Sequence, residues 1–204
     1  MTWQNLAIRY DLTPEQLAQL QQYYQLLIAA NEEFNITAIT DQASAIAYHY
    51  ADSLELGKHL DFATLQTIAD VGTGGGFPGM VLKVKYPHLR VVLIEVSLKK
   101  IKFLQDVAAE LGLTGIDFVT DDWRTFLRKR SYPIELFCAR ASLQPEELIR
   151  LFSPACPYGN AVLVYWAAAD WQPSSKVAPL VRRMVPYKVG DRVRNYAFMQ
   201  QQLT

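Results

Sequence analysis

A cluster of glycines directly after an acidic residue constrains this chain more than any other feature. Ile68-Ala-Asp70-Val-Gly72-Thr-Gly74-Gly-Gly76-Phe-Pro78-Gly79 puts a carboxylate at the end of an apolar stretch and then four glycines within five positions. Glycine reaches positive φ and lets a ligand approach the backbone, while proline is tolerated in a helix's first turn, so the segment predicts strand, tight loop, helix. Such a loop suits a nucleoside-bearing cofactor.

The chain on either side fits an α/β fold. From Leu65 onward, short β-branched runs at 67–71, 90–95, 115–119, 134–138 and 161–165 alternate with helical segments, the pattern of a parallel sheet covered by helices. Between the second and third runs, Leu98, Ile101, Phe103, Leu104, Val107, Ala108 and Leu111 form an apolar helical stripe that Gly112 ends. Two further runs, 184–189 and 193–199, flank Gly190-Asp191 and predict an antiparallel pair closing the sheet's edge, for about seven strands in all. Before the sheet, Thr13-Pro14-Glu15-Gln16 reads as an N-cap with a capping-box glutamine, predicting a helix over 14–30, and 42–59 is a second amphipathic stretch. Residues 1–60 are therefore expected to be an N-terminal helical extension and 61–204 the sheet domain.

Composition narrows the function classes. The 204 residues carry no net charge, but 1–60 hold two basic and seven acidic side chains and 176–204 hold six basic and one acidic. A second basic cluster, Arg124, Arg128, Lys129 and Arg130, could touch phosphates or simply form a solvated helix face. Cys138 and Cys156 form no CxxC pair and have no neighbouring histidine, so buried thiols are expected and no metal. No stretch approaches the roughly 18 apolar residues of a membrane span, and Met1–Tyr10 lacks a signal peptide's basic-then-apolar order. A soluble, cytoplasmic protein that binds no membrane is expected, working as a monomer.

Gly74–Gly79 is a formal GxGxxG, and Glu95 follows Gly76 by 19 residues, a spacing at which an acid ending the second strand binds ribose hydroxyls. Nicotinamide cofactors and S-adenosyl-L-methionine both fit that arrangement. Asp70 favours the second, because a carboxylate beside the loop suits a cationic, amino-acid-bearing ligand and repels a pyrophosphate.

These residues carry a specific resemblance. Asp70–Gly79, Leu93–Leu104 and the upstream segments Leu26–Asn31, Phe34-Asn35-Ile36-Thr37 and His49-Tyr-Ala-Asp52-Ser53 resemble the glucose-inhibited division protein B family, over roughly residues 20 to 165. The resemblance implies a Rossmann-like class I methyltransferase fold and methyl transfer to N7 of a guanine in small-subunit ribosomal RNA. It implies S-adenosyl-L-methionine as cofactor and S-adenosyl-L-homocysteine as product, with ribosomal RNA or the ribosomal particle as partner. It carries Asp70, Gly72, Gly74, Gly76 and Phe77 over to the cofactor's amino-acid end and Glu95 to its ribose. Asp122, Trp123 and Arg124 fall at the adenine, Arg140 at the site's edge, and Asn35, His49 and Trp166 at the acceptor. No catalytic base is implied, since guanine N7 carries an unprotonated lone pair at neutral pH. The chain departs from the family pattern where Tyr48, Asp122 and Trp166 stand at positions that are usually basic. Those lost cations leave open a competing reading, a non-catalytic or retargeted descendant serving as a binding or assembly module.

Overall fold

The computed structural model describes residues 1–201. Seven strands, β1 (Thr67–Val71), β2 (Arg90–Ile94), β3 (Ile116–Val119), β4 (Leu136–Ala139), β5 (Val162–Ala168), β6 (Val181–Val189) and β7 (Arg192–Met199), form one sheet in the order β3-β2-β1-β4-β5-β7-β6. The first five are parallel, and β7 runs antiparallel to both β5 and β6. β1 thus sits centrally, between β2 and β4, with Asp70 opposite Leu93 on one side and Cys138 on the other. The strand order reverses at β1, the place where open α/β sheets leave a crevice at their carboxyl ends.

The helices are α1 (Trp3–Tyr10), α2 (Pro14–Glu33), α3 (Gln42–Ala45), α4 (Asp52–Leu54), α5 (Gly79–Lys85), α6 (Leu98–Glu110), α7 (Trp123–Lys129) and α8 (Pro145–Leu148). The capping box before α2 forms as the sequence predicts: the Thr13 hydroxyl accepts from the Gln16 amide at 3.2 Å, and the Gln16 side chain accepts from the Thr13 amide at 3.1 Å. Ser97 caps α6 and Asp122 caps α7 by accepting from the Lys100 and Thr125 amides, without a reciprocal bond. Pro78 precedes α5 rather than sitting in its first turn, after a cis Phe77–Pro78 peptide.

The stretch 42–59 is not one amphipathic helix. Between α3 and α4 the chain widens into a π-helical turn, Ile46–Ala51, and after α4 it tightens into a 3₁₀ turn, Glu55–Lys58. Polar groups that periodicity does not register compete for its carbonyls: the Ser53 hydroxyl donates to the His49 carbonyl at 2.6 Å, and Arg140 donates to the Tyr48 carbonyl at 2.8 Å. β5 also runs past its expected end at Tyr165, because pairing with β7 extends it to Ala168. Trp166 therefore lies within that strand instead of after it.

Each face of the sheet has its own core. On one face Trp3, Leu27, Tyr50, Met80 and Leu104 pack with Val91 and Tyr196, so the first 60 residues share a core with the sheet. On the other, Phe126, Leu127 and Leu148 cover Phe137 and Leu163. Each such buried side chain contributes about 1.5 to 3 kcal/mol. Both cysteines are free; Cys138 is buried in β4 and Cys156 is half-buried.

Candidate active site

A cleft of about 580 Å³ opens at the carboxyl edge of the sheet, above β1, β2 and β4, in the size range of small-molecule sites. Its floor is the loop after β1. Gly72, at φ +64°, is where the loop passes so close to the segment after β4 that a Cβ would stand 2.5 Å from the Ser142 Cβ. At Gly74, φ +59°, a Cβ would meet nothing closer than the Gly72 carbonyl at 3.9 Å, so any side chain there projects into the cleft.

Glu95, directly after β2, is 8% exposed and forms the cleft's first acidic wall. One carboxylate oxygen accepts from the Gly74 amide at 3.0 Å and the other from the Ser97 amide at 2.9 Å. That fixes the carboxylate with two of its roughly four lone-pair sites used, leaving acceptors for a pair of hydroxyls. Asp122 and Trp123 extend this wall from the start of α7. The Asp122 carboxylate caps α7 through the Thr125 amide and hydroxyl, bonds that hold it below the usual carboxylate range. Trp123 is buried and anchored by its indole N–H to the Glu147 carbonyl at 3.0 Å.

The N-terminal extension supplies the opposite wall. Phe77 lies between two rings from that extension, Tyr23 at 5.3 Å and 9° and His49 at 4.5 Å and 15°, and the Tyr23 hydroxyl donates to the Gly75 carbonyl. Asn31 turns the chain after α2 by accepting from the Ile36 and Thr37 amides at 2.7 and 2.9 Å, which brings Thr37 to His49. His49 Nε2 lies 2.8 Å from the Thr37 hydroxyl, and Nδ1 lies 3.5 Å from an Arg140 nitrogen. Burial, followed by the Arg140 charge, holds the imidazole down to about 3, so it is neutral at pH 7. Since guanidinium only donates, Nδ1 accepts and the ring proton sits on Nε2, facing Thr37. Arg140 also donates to Asp52 at 3.0 Å, and Asp52, fully buried, accepts from Arg194 at 3.0 Å and from Tyr187 at 2.6 Å.

Of the residues singled out from the sequence, Gly72, Gly74, Phe77, Glu95, Asp122, Trp123, Arg140 and His49 line the cleft. The other five lie elsewhere. Asp70 is buried beneath the loop, where one oxygen accepts from the Thr73 hydroxyl at 2.6 Å and the Gly79 amide at 2.8 Å while the other has no partner; burial pushes it up to about 6. Gly76 faces Tyr23, Leu104 and Met80 under the same loop. Arg124 turns away to a two-pronged pair with Glu147 at 2.6 and 3.0 Å. Asn35 is exposed outside the cleft. Trp166 is buried edge-on against Tyr196, 5.1 Å between centroids, with its indole N–H toward the Asp52 carbonyl at 3.4 Å. Sequence reasoning missed Thr37, Arg192 and Arg194, which reach the cleft through long-range packing, and Val96. Val96 carried a signal: it is an apolar residue beside the strand-end acid, and it is 64% exposed at the cleft.

With this geometry in place, the relatives agree on one assignment. A family described as "GidB: rRNA small subunit methyltransferase G" matches residues 16–176. The chain belongs to the GidB family. Among GidB relatives, the ribosomal RNA small subunit methyltransferase G of a Geobacillus species is 38% identical over 195 residues, 89% of this chain and 82% of the relative. The enzyme of the same name from Listeria monocytogenes is 35% identical over 160 residues, 78% of this chain and 67% of the relative. Solved structures share the class I methyltransferase fold: a putative methyltransferase from Escherichia coli (TM-score 0.56, 16% identity, 74% of this chain, 86% of that one) and M. capricolum TrmK in complex with S-adenosyl-homocysteine (0.54, 14%, 74% and 68%).

Proposed function

We propose that this chain transfers a methyl group from S-adenosyl-L-methionine to N7 of a guanine in small-subunit ribosomal RNA. The observation that carries the reading is Glu95 held by the Gly74 amide over a floor open at Gly74, in a chain whose relatives are named as small-subunit ribosomal RNA methyltransferases. Gly72 and Gly74 admit the amino-acid end, Glu95 takes the ribose hydroxyls, and Val96, Asp122 and Trp123 form the wall beside the adenine. When bound, the cofactor supplies an electrophilic methyl on a cationic sulfonium. The chain's own part is to position and to dry the site, since holding the reacting atoms in line at roughly 3 to 3.5 Å supplies much of such a barrier reduction. No side chain need remove a proton. His49 agrees with this, because its one free nitrogen faces Arg140 and its proton faces Thr37. The extension, residues 1–60, serves as the wall on the acceptor side of domain 61–204. On this reading the protein works as a monomer in the cytoplasm; no helix among the described residues is long and apolar enough to cross a membrane.

The test is transfer of radiolabelled methyl to free small-subunit RNA and to intact small subunits, followed by nuclease digestion and chromatography for 7-methylguanosine. Label in that nucleoside, abolished by Gly74→Asp, is expected. Absence of label from both substrates sinks the proposal, and label in another nucleoside sinks the choice of N7.

A further inference from the structure

Charges at the carboxyl edge are sorted by strand. Glu95 follows β2 and Asp121 and Asp122 follow β3, whereas Arg140 follows β4 and Arg192 and Arg194 open β7; all six line the cleft. The topology causes the sorting: β7 is antiparallel, so its first residues stand beside the last of β5, with Arg194 opposite Ala168. Among the described residues, Lys100 of α6 is the one cation lining the acidic side.

The three arginines differ in what they have left to give. Arg140 and Arg194 share the buried Asp52 carboxylate, and Arg140 is 10% exposed. Arg192 is exposed, and among the described residues its guanidinium donates to no protein acceptor and pairs with no carboxylate. Its guanidinium carbon sits over the Tyr48 ring, 3.9 Å from the centroid. That ring is itself fixed: its hydroxyl donates to Asp191 in the β6–β7 turn, and Gly190 packs so closely against it that a Cβ would stand 3.0 Å from a ring carbon. A guanidinium held over a ring face by cation–π attraction keeps its N–H donors for a fork that matches a phosphate, and the contact reduces the freedom lost on binding.

We propose that Arg192, seated on Tyr48, grips a backbone phosphate of the acceptor RNA, so that the strand enters the cleft between the π-helical turn and the β6–β7 turn, on the side away from Glu95. This rests on the functional reading above. A cationic donor and a polyanionic acceptor must share one cleft, and the sorted edge gives each its own side: acids at the nucleoside wall, an uncommitted arginine at the opposite mouth. The competing basic surface, where Arg124, Arg128 and Arg150 line a groove beside α7, is partly neutralised, because Arg124 and Arg150 both pair with Glu147.

The experiment compares wild type, Arg192→Gln, Arg192→Lys and Arg128→Gln in methylation of the small-subunit substrate over a series of salt concentrations, with S-adenosyl-homocysteine affinity measured by calorimetry. Arg192→Gln should raise KM for RNA roughly tenfold, the scale of one charge-assisted fork. It should also make the slope of log affinity against log salt shallower by about 0.7, the value for one phosphate contact on a single strand, with product affinity unchanged. Arg192→Lys should restore the slope and only part of KM. If wild type labels RNA and Arg192→Gln matches it in KM and slope, this contact is overturned while the function stands. If Arg128→Gln carries the loss instead, the strand lies along α7 and the contact is again overturned. Wild type that labels no RNA overturns the functional reading and this inference with it.

Discussion

Burial drives Asp70 and His49, on either side of the glycine loop, toward neutrality from opposite starting points. Asp70 is held up at about 6 against an ordinary 3.8, so across that interval the folded chain carries the extra proton and stability falls as pH rises. His49 is held down at about 3 against an ordinary 6.5, so there the unfolded chain carries the extra proton and stability rises with pH. The two slopes oppose each other, and wild type hides both. In urea unfolding between about pH 4 and 6, Asp70→Asn should gain stability with pH more steeply than wild type, and His49→Gln less steeply, each by up to about 1.4 kcal/mol per pH unit. Parallel curves for a variant and wild type would show that its side chain is not shifted by folding. Both residues stood out in the sequence, yet what sets their chemistry did not. Thr73 is three positions from Asp70 and belongs to the motif, whereas Arg140 is 91 positions from His49 and only the folded sheet brings them together.

Among the elements, local signals were legible and docking was not. The capping box announced α2, and strand–loop–helix followed from the glycines, because both depend on contacts a few residues apart. That α2 would place Tyr23 against Phe77 and bond the Gly75 carbonyl could not be read, since nothing local encodes a pairing 52 residues apart. Arg124 shows the same limit: Asp122 fixes where α7 begins, but the position of Glu147 decides that Arg124 faces away from the cleft. The Tyr23 contact makes α2 a clamp on the cofactor loop. Tyr23→Phe keeps the stacked ring and leaves the buried Gly75 carbonyl without its donor, which should cost about 1 kcal/mol of stability. If the clamp also positions the loop, calorimetry should find S-adenosyl-homocysteine bound about fivefold more weakly, the same free energy expressed at the site. Unchanged affinity alongside the stability loss would make Tyr23 a packing residue only.

Across the whole molecule, the charge asymmetry read along the chain becomes an attraction between its ends. The acidic extension folds back onto the basic last strands, and the meeting point is Asp52, which receives Arg140 from the end of β4, Arg194 from β7 and the Tyr187 hydroxyl from β6. Its carbonyl also accepts from Trp166 and Tyr196, so one residue of α4 joins four strands. A buried carboxylate shared by two guanidiniums is stabilising only while all partners are present, because the cost of taking them out of water has already been met. Asp52→Asn removes the negative charge, leaves two adjoining cations with no carboxylate between them and keeps nearly the same shape. Chemical denaturation should find it about 3 kcal/mol less stable, within the range for breaking buried pairs. Salt distinguishes this from a surface effect: the wild-type advantage should persist at 1 M salt, where the screening length is about 3 Å and exposed pairs such as Lys102–Asp106 no longer count. An Asn variant within 0.5 kcal/mol of wild type, the scale of ordinary surface changes, would mean that hydrophobic packing alone seats the extension, and that the polarity of the chain's two ends serves its partner instead of its fold.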